Sequence, residues 1–247
     1  MRFCKTFLVA AACLPALAIP AAADEPDAGQ DLARQLRSSA PEENSQIHGT
    51  LIIRAGGQTR EVRVFCRVVV RDATWETDYQ IAATAASGPE RLVVRHSIDA
   101  TNEYLYARAP GPGDMLPKLA EISPAAAETT ALAGSDFSLA DLGLEFLHWP
   151  VQHRLKGEMR LGQPCYVLES LNPGSPDFAR VKSYIDKDSN GLLIADEYDG
   201  QGRKVKEYSL HGSSFKKVNG HWRLEKMDIR SPKNHSRTEL KFDMDKE

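Results

Sequence analysis

The sequence predicts an α+β, mostly β fold: an antiparallel meander of short strands with a helix laid across the sheet. Three observations carry this. From Glu61 to Arg71 every second residue is apolar (Val62, Val64, Cys66, Val68, Val70), while Glu61, Arg63, Arg67 and Arg71 take the alternate positions, the period of a strand with one buried and one wet face. Asn190-Gly191, Asp199-Gly200 and Asn219-Gly220 divide the C-terminal half into short runs, and such pairs supply the φ > 0 that tight hairpins need. The stretch from Gly134 to Trp149 is the exception, with apolar residues recurring every three or four positions, as on one face of a helix.

Taken from the N-terminus, Arg2 and Lys5 precede an apolar run from Thr6 to Ile19 that ends in Pro20-Ala21-Ala22-Ala23. This reads as a cleaved signal peptide over residues 1–23, with the mature chain starting at Asp24 and exported. Cys13 would suit a lipoprotein anchor, but Ala10-Ala11-Ala12 before it lack the expected leucine. The apolar run is shorter than the ~20 residues of a membrane span. Residues 24–247 are read as one domain, a length that supports a single core.

After a polar arm from Asp24 to Gln30, Asp31 to Arg37 can form a short helix, and the sheet begins beyond Asn44. Trp75, Thr77, Tyr79 and Ile81 alternate against Glu76, Asp78 and Gln80, with weaker alternation over 91–98 and 103–108. Pro110 to Pro117 interrupts the pattern, and the Ala-rich segment 118–132 reads as short helical pieces. In the next segment, Ser138 and Asp141 have capping-box spacing and Phe137 and Leu142 the staple positions. Leu139, Leu142, Phe146, Leu147 and Trp149 then give the helix an apolar face, and Pro150 ends it. Such a helix reads as a lid over the sheet. Strands are expected again at 157–161, 165–171, 180–186, 192–198, 204–210, 215–218, 221–230 and 238–243.

The chain has 31 basic and 34 acidic residues, and loss of a signal bearing Arg2 and Lys5 makes it more acidic still. Nucleic acid is therefore not an expected partner. Of four cysteines only Cys66 and Cys165 would survive maturation. In an oxidising compartment they could form a disulfide or remain buried small hydrophobes.

Asp186, Asp188, Asn190, Gly191 and Glu197 match a calcium-loop pattern, but Gly200, Gly202 and the strand-like 203–210 deny it the outgoing helix. The segment therefore reads as a hairpin, with calcium binding through Asp186, Asp188, Asn190 and Glu197 as the lesser alternative. Neither a Gly-x-Ser-x-Gly elbow nor a His-Glu-x-x-His or Walker motif occurs, so no catalytic residue or cofactor is assigned and an enzyme is not the expected class. His148, His153, His211, His221 and His235 read as ordinary, and Arg203, Lys204, Lys206, Lys216 and Lys217 as a solvated strand face.

Two stretches carry a family resemblance: Gly134-Ser-Asp-Phe-Ser-Leu-Ala-Asp-Leu142, and the C-terminal run with Cys165-Tyr-Val-Leu-Glu-Ser170, Tyr184-Ile-Asp-Lys187, Glu197-Tyr-Asp199, Phe215-Lys-Lys-Val-Asn-Gly220 and Ser236-Arg-Thr238. On these the chain resembles the outer-membrane lipoprotein-sorting (LolA-like) superfamily, in its lesser-known branch. The resemblance implies an unclosed antiparallel β-barrel, a half-barrel wrapped around an apolar cavity with short lid helices. It further implies a periplasmic carrier of lipid or lipoprotein acyl chains, passing cargo from an inner-membrane exporter to an outer-membrane acceptor. Candidates for the lining are Val62, Val64, Val68, Trp75, Tyr79, Leu92 and Val94, facing the lid residues. The alternative is an interaction or sensor module of the same fold without lipid transfer.

Overall fold

A computed structural model describes residues 28–71, 74–210, 214–218 and 221–244, with backbone alone at 215–218 and 221–223. The expected signal peptide, His211 and the Asn219-Gly220 turn lie outside these residues. The chain opens with helix α1 (Ala28–Arg37). Five strands follow: β1 (Ser45–Ala55), β2 (Gln58–Arg71), β3 (Thr74–Ile81), β4 (Glu90–His96) and β5 (Glu103–Arg108). The short β6 (Ala120–Ile122) leads to helix α2 (Pro124–Thr129), a 3-10 turn at Leu132–Gly134, helix α3 (Leu139–Gly143) and a second 3-10 turn at Glu145–His148. The remainder is β: β7 (Val151–Arg160), β8 (Gln163–Leu171), β9 (Arg180–Asp186), β10 (Leu192–Tyr198), β11 (Lys204–Ser209), β12 (Phe215–Val218), β13 (His221–Leu224), β14 (Lys226–Ser231) and β15 (Ser236–Phe242).

Thirteen of these strands form one sheet in the order β6-β5-β4-β3-β2-β1-β15-β14-β11-β10-β9-β8-β7, while β12 and β13 pair separately. All pairings are antiparallel, and β1 with β15 joins the two halves of the sheet. Its edges, β6 and β7, are not paired to each other, so the barrel stays unclosed. Those edge strands are consecutive in the chain, and the link between them, residues 123–150, is the segment that carries α2 and α3.

The alternation read at β2 holds at its centre. Val62, Val64 and Cys66 are buried in one cluster with Leu51, Tyr79, Leu92, Val94, Leu240 and the lid residues Phe137, Leu139 and Leu142. A second cluster joins Leu32 and Ala33 of α1 to Phe146, Leu147, Trp149, Leu168, Val181 and Ile185.

Several elements differ from the sequence expectation. The helix expected to run unbroken to Pro150 stops at Gly143, because Leu144 turns left-handed (φ 50°) and a 3-10 turn takes over. The cause is tertiary. A Cβ at Gly143 would lie 2.2 Å from the Tyr104 hydroxyl, so the chain touches the wall here and must bend for Glu145 to reach it. The expected strand 221–230 divides at Glu225, whose N–H donates to the Ser214 carbonyl and whose own carbonyl accepts from Phe242. β7 begins directly after Pro150 instead of at Gly157.

Leu161, expected in that strand, is a turn residue. With φ 50° ahead of Gly162 at φ 79° and 57% exposed, it combines an unfavourable left-handed leucine with little burial. Leu161→Asn is expected to stabilise the protein by about 1 kcal/mol, read as a rise of roughly 2–4 °C in the thermal midpoint.

Candidate functional site

The concave face of the sheet and the segment crossing it form the site. The capping box expected from the sequence is made: the Asp141 N–H donates to Ser138 Oγ (3.2 Å) and the Ser138 N–H to the Asp141 carboxylate (2.7 Å). Left-handed residues flank α3, at Ala133 and Gly134 before it and at Leu144 after it. The first joint is anchored to the wall, since the Ala133 N–H donates to Glu90 (3.0 Å) and Arg60 donates to the Ala133 carbonyl (2.7 Å). Asp136 adds a further tie by accepting from Ser236 and Thr238.

All six lid residues named from the sequence are buried. Phe137, Leu139 and Leu142 pack on the β1–β5 side with Val62, Val64, Tyr79, Leu92 and Val94. Phe146, Leu147 and Trp149 pack on the β8–β10 side. Val68 and Trp75 are half-buried, and Trp75 stacks on His96 with ring centroids 4.7 Å apart. The lid's own side chains thus occupy the hollow. Two gaps beneath it measure about 20 Å³ each, room for little more than a water. Two larger cavities of about 460 Å³ lie outside it, one bordered by Ser135, Ser138, Arg203 and Lys206, the other by Pro124, His148, Trp149 and Phe178.

Polar contacts hold the cover in place. Lys206, with its side chain 15% exposed, donates to Asp141 on α3 at 2.7 Å and lies 3.9 Å from Glu197. Burial opposes the Lys206 charge, but Asp141 and Glu197 outweigh it and hold the ammonium above its ordinary value. Burial likewise raises Glu197 to about 8, with Lys206 pulling the other way. Glu145 accepts from the Tyr104 hydroxyl (2.8 Å) and from Asn102 (3.1 Å), and its burial raises it to about 7. Glu128 of α2 accepts from Trp149 Nε1 (3.2 Å) and Asn172 (3.3 Å). Sequence reasoning missed this network and placed Lys206 on a solvated face. Lys206 stands opposite Glu197 in the regular register of β10 and β11, and the shift that follows between Glu197 and Tyr198 sets Lys204 apart from it, to pair with Asp196 and Glu207.

Burial drives His96 and His148 down to about 4, each further from charging because of a positive neighbour: His148 for His96, and Arg37 for His148. These shifts define a pH profile. Glu145 and Glu197 hold protons in the folded state that they lose above about 4.5 when unfolded, so their contribution falls as pH rises towards 7 and 8. The histidines charge below 6.5 when unfolded but only near 4 when folded, so their contribution falls as pH drops through that window. The two slopes oppose each other between 4.5 and 6.5. Thermal midpoints are therefore expected to be level there, to decline towards pH 8 and to decline again near pH 4. Glu145→Gln should make the decline up to pH 7 shallower and leave the Glu197 part towards pH 8, and an unchanged decline would remove Glu145 as a contributor.

Cys66 and Cys165 are free and buried, which corrects the disulfide reading. Six strands separate β2 from β8 in the sheet, and Cys66 packs in the concave-face cluster while Cys165 packs in another with Val167 and Tyr184. Burial pushes the Cys66 thiol up to about 12. Nor do the four calcium candidates converge. Asp186 accepts from the Ser189 N–H and hydroxyl at the turn, whereas Glu197 lies five residues along β10 from Leu192, roughly 16 Å away, beside Lys206. Asn190 sits in the turn itself at φ 55°. Among the described residues, no three His, Cys, Asp or Glu side chains gather closely enough to hold a metal, and no helix is long and apolar enough to cross a membrane.

Solved structures share this architecture. A DUF1329 family protein from Desulfovibrio piger superposes with TM-score 0.69 at 20% identity, covering 90% of this chain and 92% of the other. A domain assigned to the outer membrane lipoprotein-sorting proteins from Vibrio parahaemolyticus gives 0.70 at 16% identity, covering 89% and 92%. A LolA superfamily protein from Nitrosomonas europaea gives 0.57 at 13% identity, covering 87% and 91%. No curated protein matches the chain in sequence. The model of a family described as "Uncharacterized protein" matches residues 92–245, well over half the chain; the protein belongs to that family, and its fold is the LolA-like half-barrel.

Proposed function

We propose that the protein is a periplasmic carrier or chaperone for lipid or lipoprotein acyl chains, which take the place of the lid's side chains inside the half-barrel. The mature chain, from Asp24, acts as one unit, receiving cargo from an inner-membrane exporter and yielding it to an outer-membrane acceptor. The carrying observation is that lid side chains fill the concave face, Phe137, Leu139 and Leu142 on one half and Phe146 on the other, while left-handed joints and polar contacts hold the segment that bears them. The energetics favour exchange. Burying any three such side chains is worth roughly 5–9 kcal/mol, and a C16 chain at about 0.8 kcal/mol per methylene gains on the order of ten. Near balance is what a carrier needs, because cargo must leave as well as bind.

The test is to extract protein purified from membrane-containing cells with organic solvent, identify acyl lipid by mass spectrometry, and measure lipid transfer between vesicles. Stoichiometric lipid with protein-dependent transfer supports the reading. Lipid-free protein that transfers nothing would instead leave an interaction module, for which the filled hollow is the favouring observation.

A further inference from the structure

The lid packs into a buried cluster on each half of the wall, but the two small gaps beneath it both lie on one half. On the β1–β5 side the lid and the wall form one continuous cluster. On the β9–β11 side packing is interrupted by the two small gaps, which share Asp141, Phe146, Val181 and Glu197 and extend to Ala195, Lys206, Tyr208 and Ile229. Glu128 borders the first of these gaps and both outer cavities. Its carboxylate also ties α2 to Trp149 at the end of the lid and to Asn172, where the turn at 172–178 begins. One clasp therefore stands between the outside and these gaps. Trp149, Pro124 and Phe178 line the outer cavity beside it, an apolar approach.

We infer that a single acyl chain enters between α2 and the turn at 172–178, past the Glu128–Trp149 clasp, and lies along the β9–β11 half of the wall with its polar head left in the outer cavities. This rests on the carrier reading above and specifies its path. Phe146 must swing aside, and the left-handed joint at Leu144 is where the backbone gives. Glu128 acts as a positioning residue for the lid and touches no reacting group.

The mature wild-type chain is irradiated with a palmitate analogue carrying a photoreactive diazirine at its tail, and adducts competed by unlabelled palmitate are mapped by peptide mass spectrometry. Adducts in 141–149, 181–197 and 205–208 are expected. Competed adducts confined to 62–66, 79–81 and 92–94 would overturn the path while the carrier reading stood; no competed adduct would defeat both. In stopped-flow uptake of a fluorescent fatty acid, Glu128→Ala should bind about tenfold faster, while Glu128→Gln, which still accepts from Trp149, should keep the wild-type rate. Equal rates in all three would overturn the portal, and circular dichroism of each variant verifies folding.

Discussion

Lys206→Met lowers stability by about 3 kcal/mol, measured as a shift of the urea midpoint at constant slope. The ammonium is the cationic partner of Asp141 at 2.7 Å, in a site where the two side chains are 15% and 18% exposed. Methionine fills much of the same volume, so the loss reports the carboxylate left without its partner more than a void. The decisive comparison is Lys206→Met with Asp141→Asn. Asparagine can still accept from the Ser138 N–H, so the cap persists and the stranded charge is gone. The pair should recover most of the loss, since uncharged replacements of buried ion pairs are often close to neutral. A double variant no better than the single one would assign the effect to the Lys206 contact with the Phe178 ring, 5.3 Å from its centroid.

Phe137→Ala is expected to cost about 3–5 kcal/mol. The ring is fully buried, meets Tyr208 edge-on at 6.3 Å, and sits where lid and wall share one cluster. The backbone around it cannot collapse readily, because Leu132 N–H donates to the Phe137 carbonyl and Asp136 is tied to β15. The void should persist, which places the loss near the upper end of that range. Equilibrium unfolding measures it, and a loss below ~1 kcal/mol would mean the lid is not packed as described.

How much of this was legible follows from what is local. The ends of β5, β9 and β10 agree with the sequence reading because alternation and Gly-bearing turns act within a few residues. The capping box at Ser138 is likewise a four-residue signal. β1 was harder to delimit, since Leu51-Ile52-Ile53 is a continuous apolar run in which the outward Ile52 obscures the period. The pairings of β1 with β15 and of β11 with β14 join distant segments, and nothing in either strand names its partner.

The site was less legible for the same reason. Lys206 lies among Lys204, Val205 and Glu207, and only its pairing opposite Glu197, with the register shift that parts it from Lys204, settles which way it faces. Glu145 and Leu144 looked like ordinary positions of a longer helix until Tyr104 and Asn102, some forty residues upstream, claimed the carboxylate. The lid was visible as an apolar face. That it would fill the hollow was not, because an apolar face reads alike against a cavity or a core.

Residues 123–150 connect β6 to β7, the two rims of the trough. The polypeptide is thus a bridle sewn down at both sides, able to slacken or shift sideways but never to come away. Whatever lies in the trough is straddled, and bulky or branched objects cannot drop in from above. Only something slender, threaded endwise beneath the bridle, fits that constraint, so chain connectivity would set a size limit on the cargo proposed above before any side chain makes a choice.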